Sequence, residues 1–131
     1  MIVLDTHAWV WWVNDPGMLS RRARKAIDEA MGRKTLHVSS ISAWEVALLA
    51  QRGRLVLSMD VRDWIARSEA LPFLRFVPVG NGIAIESVRL HDFTRNDPAD
   101  RIIVATAAAL GATLVTKDEA IRRYPLIKTL W

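Results

Sequence analysis

The sequence contains no cysteine, which excludes disulfides, thiolate catalysis, zinc ribbons and iron–sulfur clusters. This absence fits a reducing compartment, so we expect a cytoplasmic protein. No apolar run reaches the ~20 residues that cross a bilayer, because the longest, over 102–112, is interrupted by Thr106 and Gly111. The first residues show neither a basic region nor a cleavage site, so we expect no signal peptide and no membrane association.

Length and composition predict a single domain over residues 1–131. The chain is 51% hydrophobic and 24% charged, which is typical of a packed globular domain. The 18 Lys and Arg exceed the 14 Asp and Glu, and Arg supplies 14 of the 18. This basic excess favours an anionic partner such as nucleic acid, because Arg can contact phosphate through two hydrogen bonds at once. A GC-rich genome would produce the same bias.

Short apolar runs alternate with helical patterns along the chain. The apolar runs predict strands at 2–4, 36–38, 76–79 and 113–115, with a short edge strand within 126–130. The helical patterns predict helices at about 6–13, 21–31, 40–52, 61–70, 82–90, 98–110 and 118–123. Strands separated by helices predict an α/β fold of three layers, α/β/α, with a mainly parallel central sheet of about five strands.

Three acidic residues lie where such a sheet binds ligands, beyond the carboxyl ends of its strands. Asp5 follows the first predicted strand and Asp118 follows the fourth, although each is also a suitable helix N-cap. Asp100 lies in the first turn of a largely apolar helix, where the helix dipole favours its charge. We expect Asp97, directly before Pro98, to be the N-cap of that helix rather than part of the site.

Glu45 is a fourth candidate, on the third predicted helix. Ile41, Trp44 and Leu48 form an apolar stripe on that helix, and Glu45 falls in the same row. A carboxylate facing the core is costly unless a partner neutralises it. The spacing from Ser42 to Glu45 also fits a capping box. We favour the functional interpretation, because Ser39 and Ser40 are better placed to cap the helix.

Carboxylates gathered in one cleft repel one another and raise each other's pKa, a conflict that a divalent cation removes. Ligation by oxygen alone suits Mg²⁺ or Mn²⁺ better than zinc. The three histidines, His7, His37 and His91, show no zinc-ligand spacing and are expected to be ordinary core or surface residues.

Four motifs containing these acids follow one another in an order that matches a known family. They are VLDTH at 3–7, SAWE at 42–45, DPADR at 97–101 and LVTKD at 114–118. In these motifs the chain resembles PIN domain proteins, and among them the VapC-type toxin ribonucleases of bacterial toxin–antitoxin pairs. The resemblance implies a PIN-like fold and a Mg²⁺- or Mn²⁺-dependent endoribonuclease that cleaves RNA and binds a cognate antitoxin protein.

The resemblance also implies roles for particular residues. The catalytic acids fall on Asp5, Glu45, Asp100 and Asp118, with the metal held by Asp5 and Asp100. The other two acids complete the metal's shell directly or through water. Three hydroxyl side chains are expected to orient the carboxylates or the attacking water: Thr6, Ser42 and Thr116. Arg101, beside Asp100, is expected to contact the RNA phosphates, and Lys117 either contacts phosphate or faces solvent.

Two other functions on the same fold stay open. One is a structure-specific DNA nuclease, and the other is a catalytically silent nucleic-acid-binding module. Retention of all four acids disfavours the silent module, and metal-dependent cleavage of RNA against single-stranded DNA would separate the remaining possibilities. A haloacid-dehalogenase-type phosphatase is disfavoured, because that family needs a second Asp two residues after the first, where this chain has His7.

The six tryptophans predict both core and interface positions. We expect Trp9, Trp12 and Trp44 in the core. Trp11, Trp12 and Trp64 are alternatives for a groove that receives an antitoxin segment, or for a dimer face. We expect a homodimer, because so many large apolar side chains are hard to bury in a chain of this size.

Overall fold

The computed structural model describes residues 1–131 as one five-stranded sheet with helices on both faces. The strands are β1 (Ile2–Leu4), β2 (Leu36–Ser39), β3 (Leu74–Val77), β4 (Thr113–Val115) and β5 (Thr129–Leu130). They are all parallel and lie in the order β3-β2-β1-β4-β5. The helices are α1 (Thr6–Asn14), α2 (Arg21–Arg33), α3 (Ser40–Gln51), α4 (Val61–Glu69), α5 (Asn81–Val88), α6 (Pro98–Leu110) and α7 (Glu119–Arg122). The predicted fold class is therefore confirmed. None of the helices is long and apolar enough to cross a membrane.

The central strand β1 separates two apolar cores. Because strand side chains alternate between faces, Ile2 and Leu4 pack in one core with α1, α2 and α4, while Val3 packs in the other with α6 and α7. All three residues are buried, as expected for a parallel sheet covered on both faces. This arrangement gives the three predicted layers.

The sequence signals place most helix starts correctly. Ser20, Ser39, Asp60 and Asp97 each accept a hydrogen bond from a backbone N–H in the first turn of the helix that they cap. The third strand is displaced from its predicted position, since β3 ends at Val77. Pro78 follows and has no N–H to donate to a sheet ladder, so it is a poor strand residue.

The orientation predicted for α3 is wrong. Its buried residues are Ser42 and Val46, whereas Trp44 is 56% exposed and does not belong to the core. The helix is apolar around most of its circumference, so an apolar stripe cannot define its buried face.

Two other tryptophans fill the core between α1 and α4. Trp9 is fully buried, as predicted, and its Nε1–H donates to Ser68 Oγ at 3.1 Å. Trp64, an alternative for the interface groove, is also buried and packs against Trp9, with ring centroids 4.8 Å apart and ring planes inclined at 52°. Its Nε1–H donates to Asn14 Oδ1 at 2.9 Å, so no donor is left free for a partner. Trp12, predicted for either location, packs against this core while remaining half-buried.

Candidate active site

A cavity of about 260 Å³ opens beyond the carboxyl ends of β1 and β4. All four acids identified in the sequence line it: Asp5, Glu45, Asp100 and Asp118. The other residues that line the cavity are the hydroxyl residue Thr6 and six apolar or basic residues: Val10, Trp11, Leu49, Leu55, His7 and Arg54. The cavity lies beside the point where the strand order changes direction, which is the usual ligand position in a parallel α/β sheet.

Asp5 is the most deeply enclosed of the acids, with 4% of its surface exposed. Its backbone N–H donates to the carbonyl of Val115, which continues the pairing of β1 with β4. One carboxylate oxygen accepts from the N–H of Thr6 at 2.8 Å, as an N-cap does, and the other accepts from Thr116 Oγ1 at 2.6 Å. Asp5 is therefore the N-cap of α1 and also lines the cavity.

Glu45 reaches the cavity from α3 and accepts a hydrogen bond from Thr6, whose hydroxyl also contacts Ser42. Thr6 Oγ1 donates to Glu45 Oε1 at 2.5 Å and lies 2.8 Å from Ser42 Oγ. Burial raises the pKa of the Glu45 carboxyl, and the negative charges of Asp5 and Asp97 add to this effect. The hydrogen bond from Thr6 acts in the opposite direction by favouring the ionised form.

Asp100 lies in the first turn of α6. Its backbone N–H donates to Asp97 Oδ1 at 3.1 Å, so Asp97 is the N-cap, as predicted. Burial raises the pKa of Asp100 to about 7, with further contributions from the charges of Asp5, Asp97 and Glu45, while Arg95 lowers it. Burial, helped by the neighbouring carboxylates, thus favours protonation of Asp100 up to near neutral pH.

Asp118 both caps a helix and lines the cavity. Its Oδ1 accepts from the N–H of Ile121 at 3.1 Å, which caps α7. Its own N–H donates to Thr116 Oγ1 at 3.1 Å, the same hydroxyl that donates to Asp5. Thr116 therefore couples the acids that follow β1 and β4.

Arg95 is a site residue that the sequence analysis missed. Its Nη1 lies 3.3 Å from Asp100 Oδ2, and its Nη2 lies 3.0 Å from both oxygens of Asp118. Arg95 belongs to the irregular segment between α5 and α6, where no periodic pattern indicates which way a side chain points. Its only sequence signal is its place two residues before the DPADR motif.

The prediction that Arg101 contacts RNA phosphate needs correction. Its guanidinium donates to four backbone carbonyls, those of Ser87, Val88, Phe93 and Arg95, at 2.8 to 3.3 Å. These hydrogen bonds occupy the guanidinium of Arg101. They hold in place the segment that joins α5 to α6. Arg101 is a structural residue that positions Arg95.

Lys117 and His7 meet at the rim of the cavity. The backbone N–H of Lys117 donates to His7 Nε2 at 3.0 Å, and the Lys117 ammonium lies 5.7 Å from the centre of the Trp11 ring. His7 packs on the same ring at 5.0 Å, with its Nδ1 3.6 Å from Asp5 Oδ2. His7, expected to be an ordinary core or surface residue, therefore lines the cavity, and its place two positions after Asp5 is the sequence signal for this.

The donors around the cavity fit a hard divalent cation by their chemistry. They are carboxylate oxygens, and the pKa values of Glu45 and Asp100 are raised first by burial and then by neighbouring negative charges, which a cation would offset. No three acidic or histidine side chains lie close enough together to hold an ion in this conformation. Arg95 lies between two of the acids, Asp100 and Asp118.

Comparison with known proteins shows the family to which the chain belongs. The family model described as PIN domain matches residues 2–126. Ribonuclease VapC22 of Mycobacterium tuberculosis (strain ATCC 25618 / H37Rv) is 37% identical over 132 residues, which cover 99% of this chain and 98% of that protein.

Solved structures share the fold at lower identity. VapBC2 from Rickettsia felis, bound to a DNA fragment from its promoter, has a TM-score of 0.72 at 18% identity, covering 99% of this chain and 98% of the other. A toxin–antitoxin complex from Klebsiella pneumoniae has a TM-score of 0.64 at 19% identity, covering 100% and 97%. With a family match over nearly its whole length and a full-length relative above one-third identity, the chain belongs to the PIN domain family and is a homologue of the VapC-type ribonucleases.

Proposed function

We propose that this VapC-type ribonuclease homologue is a Mg²⁺- or Mn²⁺-dependent endoribonuclease toxin that hydrolyses RNA phosphodiester bonds. The observation that carries the proposal is the convergence of four carboxylates, from four separate segments, on one cavity. Two of these carboxyls have pKa values raised by burial and by neighbouring charge. Such a concentration of like charge costs stability, and it is typical of a site kept for chemistry.

In this proposal Asp5 and Asp100 hold the ion, and Glu45 and Asp118 complete its shell directly or through water. When bound, the ion supplies positive charge that polarises the scissile phosphate and lowers the pKa of a bound water. Asp5 suits its role because three hydrogen bonds fix it. Its backbone N–H donates to the Val115 carbonyl, and its two carboxylate oxygens accept from the Thr6 N–H and from Thr116 Oγ1. Asp100 suits its role because α6 fixes its position and its carboxylate remains partly exposed to the cavity.

We propose that three hydroxyl side chains keep these acids in position. Thr6 holds Glu45 and is itself in contact with Ser42, and Thr116 holds Asp5. Each hydroxyl is buried, so its hydrogen bond is shielded from competition with water. Outer contacts of this kind set the orientation of a ligand and the charge on its oxygens.

Two cations at the cavity are the proposed contacts for RNA phosphate. Lys117 lies at the rim above Trp11, and Arg54 lines the cavity from the segment after α3. Both residues are exposed, and no ion pair to a carboxylate occupies either side chain. They replace Arg101, whose guanidinium is bonded to backbone carbonyls.

A cognate antitoxin protein is the proposed partner. Support comes from the similar fold of the toxin–antitoxin complex from Klebsiella pneumoniae. The half-buried Trp11 and Trp12 on α1 remain the proposed contacts for an antitoxin segment, since Trp64 is in the core. Large aromatic side chains of this kind are common anchors of protein interfaces.

A homodimer is proposed through α3 and α5, which both pack against α6. The exposed faces of these two helices carry large apolar side chains: Trp44, Ile85 and Val88 are 56%, 51% and 78% exposed. Exposed apolar groups of this size favour a protein contact over contact with water.

We also propose that residues 1–131 work as one domain in the cytoplasm, in keeping with the single sheet and the absence of cysteine.

The test is cleavage of a panel of RNAs and single-stranded DNAs with Mn²⁺ and with EDTA. We expect cleavage of RNA with Mn²⁺ only, and none by Asp100→Asn. Cleavage restricted to DNA would favour the DNA nuclease, whereas binding of RNA without cleavage at any metal concentration would favour the silent module.

A further inference from the structure

We propose that Arg95 is an internal cation that occupies the space between Asp100 and Asp118 in the metal-free protein and competes with the divalent ion for these two acids. This inference rests on the proposed metal-dependent function. It adds a residue that sets how tightly the site binds its ion, and therefore how much of the protein is active at a given metal concentration.

The first support is the geometry of the guanidinium. Its two terminal nitrogens lie 3.3 Å from Asp100 Oδ2 and 3.0 Å from both oxygens of Asp118. An ion bound to the same oxygens would lie about 2.0 to 2.1 Å from them if it were Mg²⁺. A guanidinium and a divalent cation cannot share these atoms at such distances, because they repel each other and require the same space.

The second support is the way the backbone of Arg95 is held. The guanidinium of Arg101 donates to the carbonyls of Arg95 and Phe93, both at 2.9 Å, and lies 5.6 Å from the centre of the Phe93 ring. The segment is therefore anchored by contacts that do not involve the Arg95 side chain. That side chain is free to leave the acids while its backbone stays in place.

The third support is exposure. The Arg95 side chain is 37% exposed, whereas Asp100 and Asp118 are 16% and 24% exposed. The arginine covers the acids from the solvent side, and it can turn outward into water without opening the core. Exchange of one cation for another at this position thus needs only a rotation of a long, flexible side chain.

The experiment measures Mn²⁺ binding by isothermal titration calorimetry, a readout that does not depend on RNA cleavage. We compare the wild type with Arg95→Ala and with Arg54→Ala as the matched control. Arg54 also lines the cavity but contacts none of the acids, so its removal deletes the same charge without freeing a ligand. We expect Arg95→Ala to bind Mn²⁺ about fivefold more tightly than the wild type, and Arg54→Ala to change the affinity less than twofold.

A second variant and a second measurement protect the test against a folding defect. Arg95→Gln keeps much of the side-chain length without the charge, and we expect it to bind more tightly as well. In thermal melts with EDTA, Arg95→Ala should unfold at a lower temperature than the wild type, while the increase produced by Mn²⁺ should be larger. A purely structural arginine would lower both melting temperatures equally and leave the affinity unchanged.

The outcomes separate this inference from the function on which it rests. If the wild type and both Arg95 variants bind no Mn²⁺, the metal site itself is refuted and the inference with it. If the wild type binds Mn²⁺ and the Arg95 variants bind it equally or more weakly, the metal site stands and the competition by Arg95 is refuted.

Discussion

Thr6 Oγ1 lies 2.5 Å from Glu45 Oε1 and joins the residue that begins α1 to the middle of α3. The two residues are 39 positions apart in the chain. The same hydroxyl lies 2.8 Å from Ser42 Oγ, so one threonine is in contact with two residues of α3. Thr6 therefore decides where the only glutamate of the cavity points.

Replacing Thr6 by Val should reduce RNA cleavage by roughly 10- to 100-fold, as is typical when a group behind a metal ligand is lost. The change keeps the shape of the side chain but removes the hydrogen bond that favours ionised Glu45, so the pKa of Glu45 should rise further. Cleavage rates against pH would show both effects. Thr106→Val is the control, because Thr106 is also buried but donates to the Ile102 carbonyl within α6. Equal losses of cleavage activity in the two variants would contradict the role of Thr6.

Asp100→Asn should abolish RNA cleavage with little loss of fold, and the loss should exceed the roughly 100-fold upper range expected for a supporting residue. The amide keeps the side-chain shape at the start of α6 but removes the charge proposed to hold the ion. Asp97→Asn should retain substantial activity, because Asn caps a helix about as well as Asp. Circular dichroism would verify both folds, and full cleavage by a folded Asp100→Asn protein would refute the assignment.

The metal-free protein should lose stability as the pH rises from about 4 to about 7. The pKa of Asp100 is about 7 in the folded protein against 3.8 ordinarily, so between these values the folded state binds a proton that the unfolded state releases. Raising the pH removes that proton and costs folded-state stability, and the raised pKa of Glu45 acts in the same direction. Urea unfolding in EDTA at pH 5 and pH 7.5 would measure the effect.

The pH-dependent loss should be smaller in Asp100→Asn, which has no carboxyl to titrate at this position. Asp60→Asn is the matched control, because Asp60 caps α4 and does not line the cavity. Identical pH profiles for the wild type and Asp100→Asn would show that Asp100 does not contribute this proton.

Adding Mn²⁺ at neutral pH should raise the melting temperature of the wild type. A ligand that binds only the folded state contributes about 2.7 kcal/mol at 100 times its dissociation constant. The gain should disappear at acidic pH, because protonated carboxylates do not bind the ion. It should shrink in Asp5→Asn and Asp100→Asn, so equal Mn²⁺ shifts in the wild type and both variants would exclude these acids as ligands.

Trp44→Lys should convert the proposed dimer to a monomer at micromolar concentration. The change places a charge on the exposed apolar face of α3, where burial against a second copy would be costly. Val56→Lys is the control, because Val56 is 87% exposed and lies outside α3 and α5. Sedimentation velocity would distinguish the species, and a wild type that is entirely monomeric would contradict the dimer.

Local patterns in the sequence determined the layers of the fold and several helix starts. Short apolar runs between helical segments specify parallel strands covered on both faces, and side chains such as Ser20 and Asp60 bond only to the next few residues. The same patterns located Asp5 and Asp118, because any residue that directly follows a parallel strand lies at the ligand edge. These features depend on neighbours in the chain, so a single sequence carries them.

Tertiary structure alone decided which way α3 faces and what neutralises the acids. An all-round apolar helix has no preferred buried face, so only packing exposes Trp44 and turns Glu45 toward Thr6. The ion pairs of Arg95 and the carbonyl bonds of Arg101 join irregular segments whose approach is set by the packing of α5, α6 and α7. Charges attract over distances in space rather than along the chain, and for this reason no spacing in the sequence predicted them.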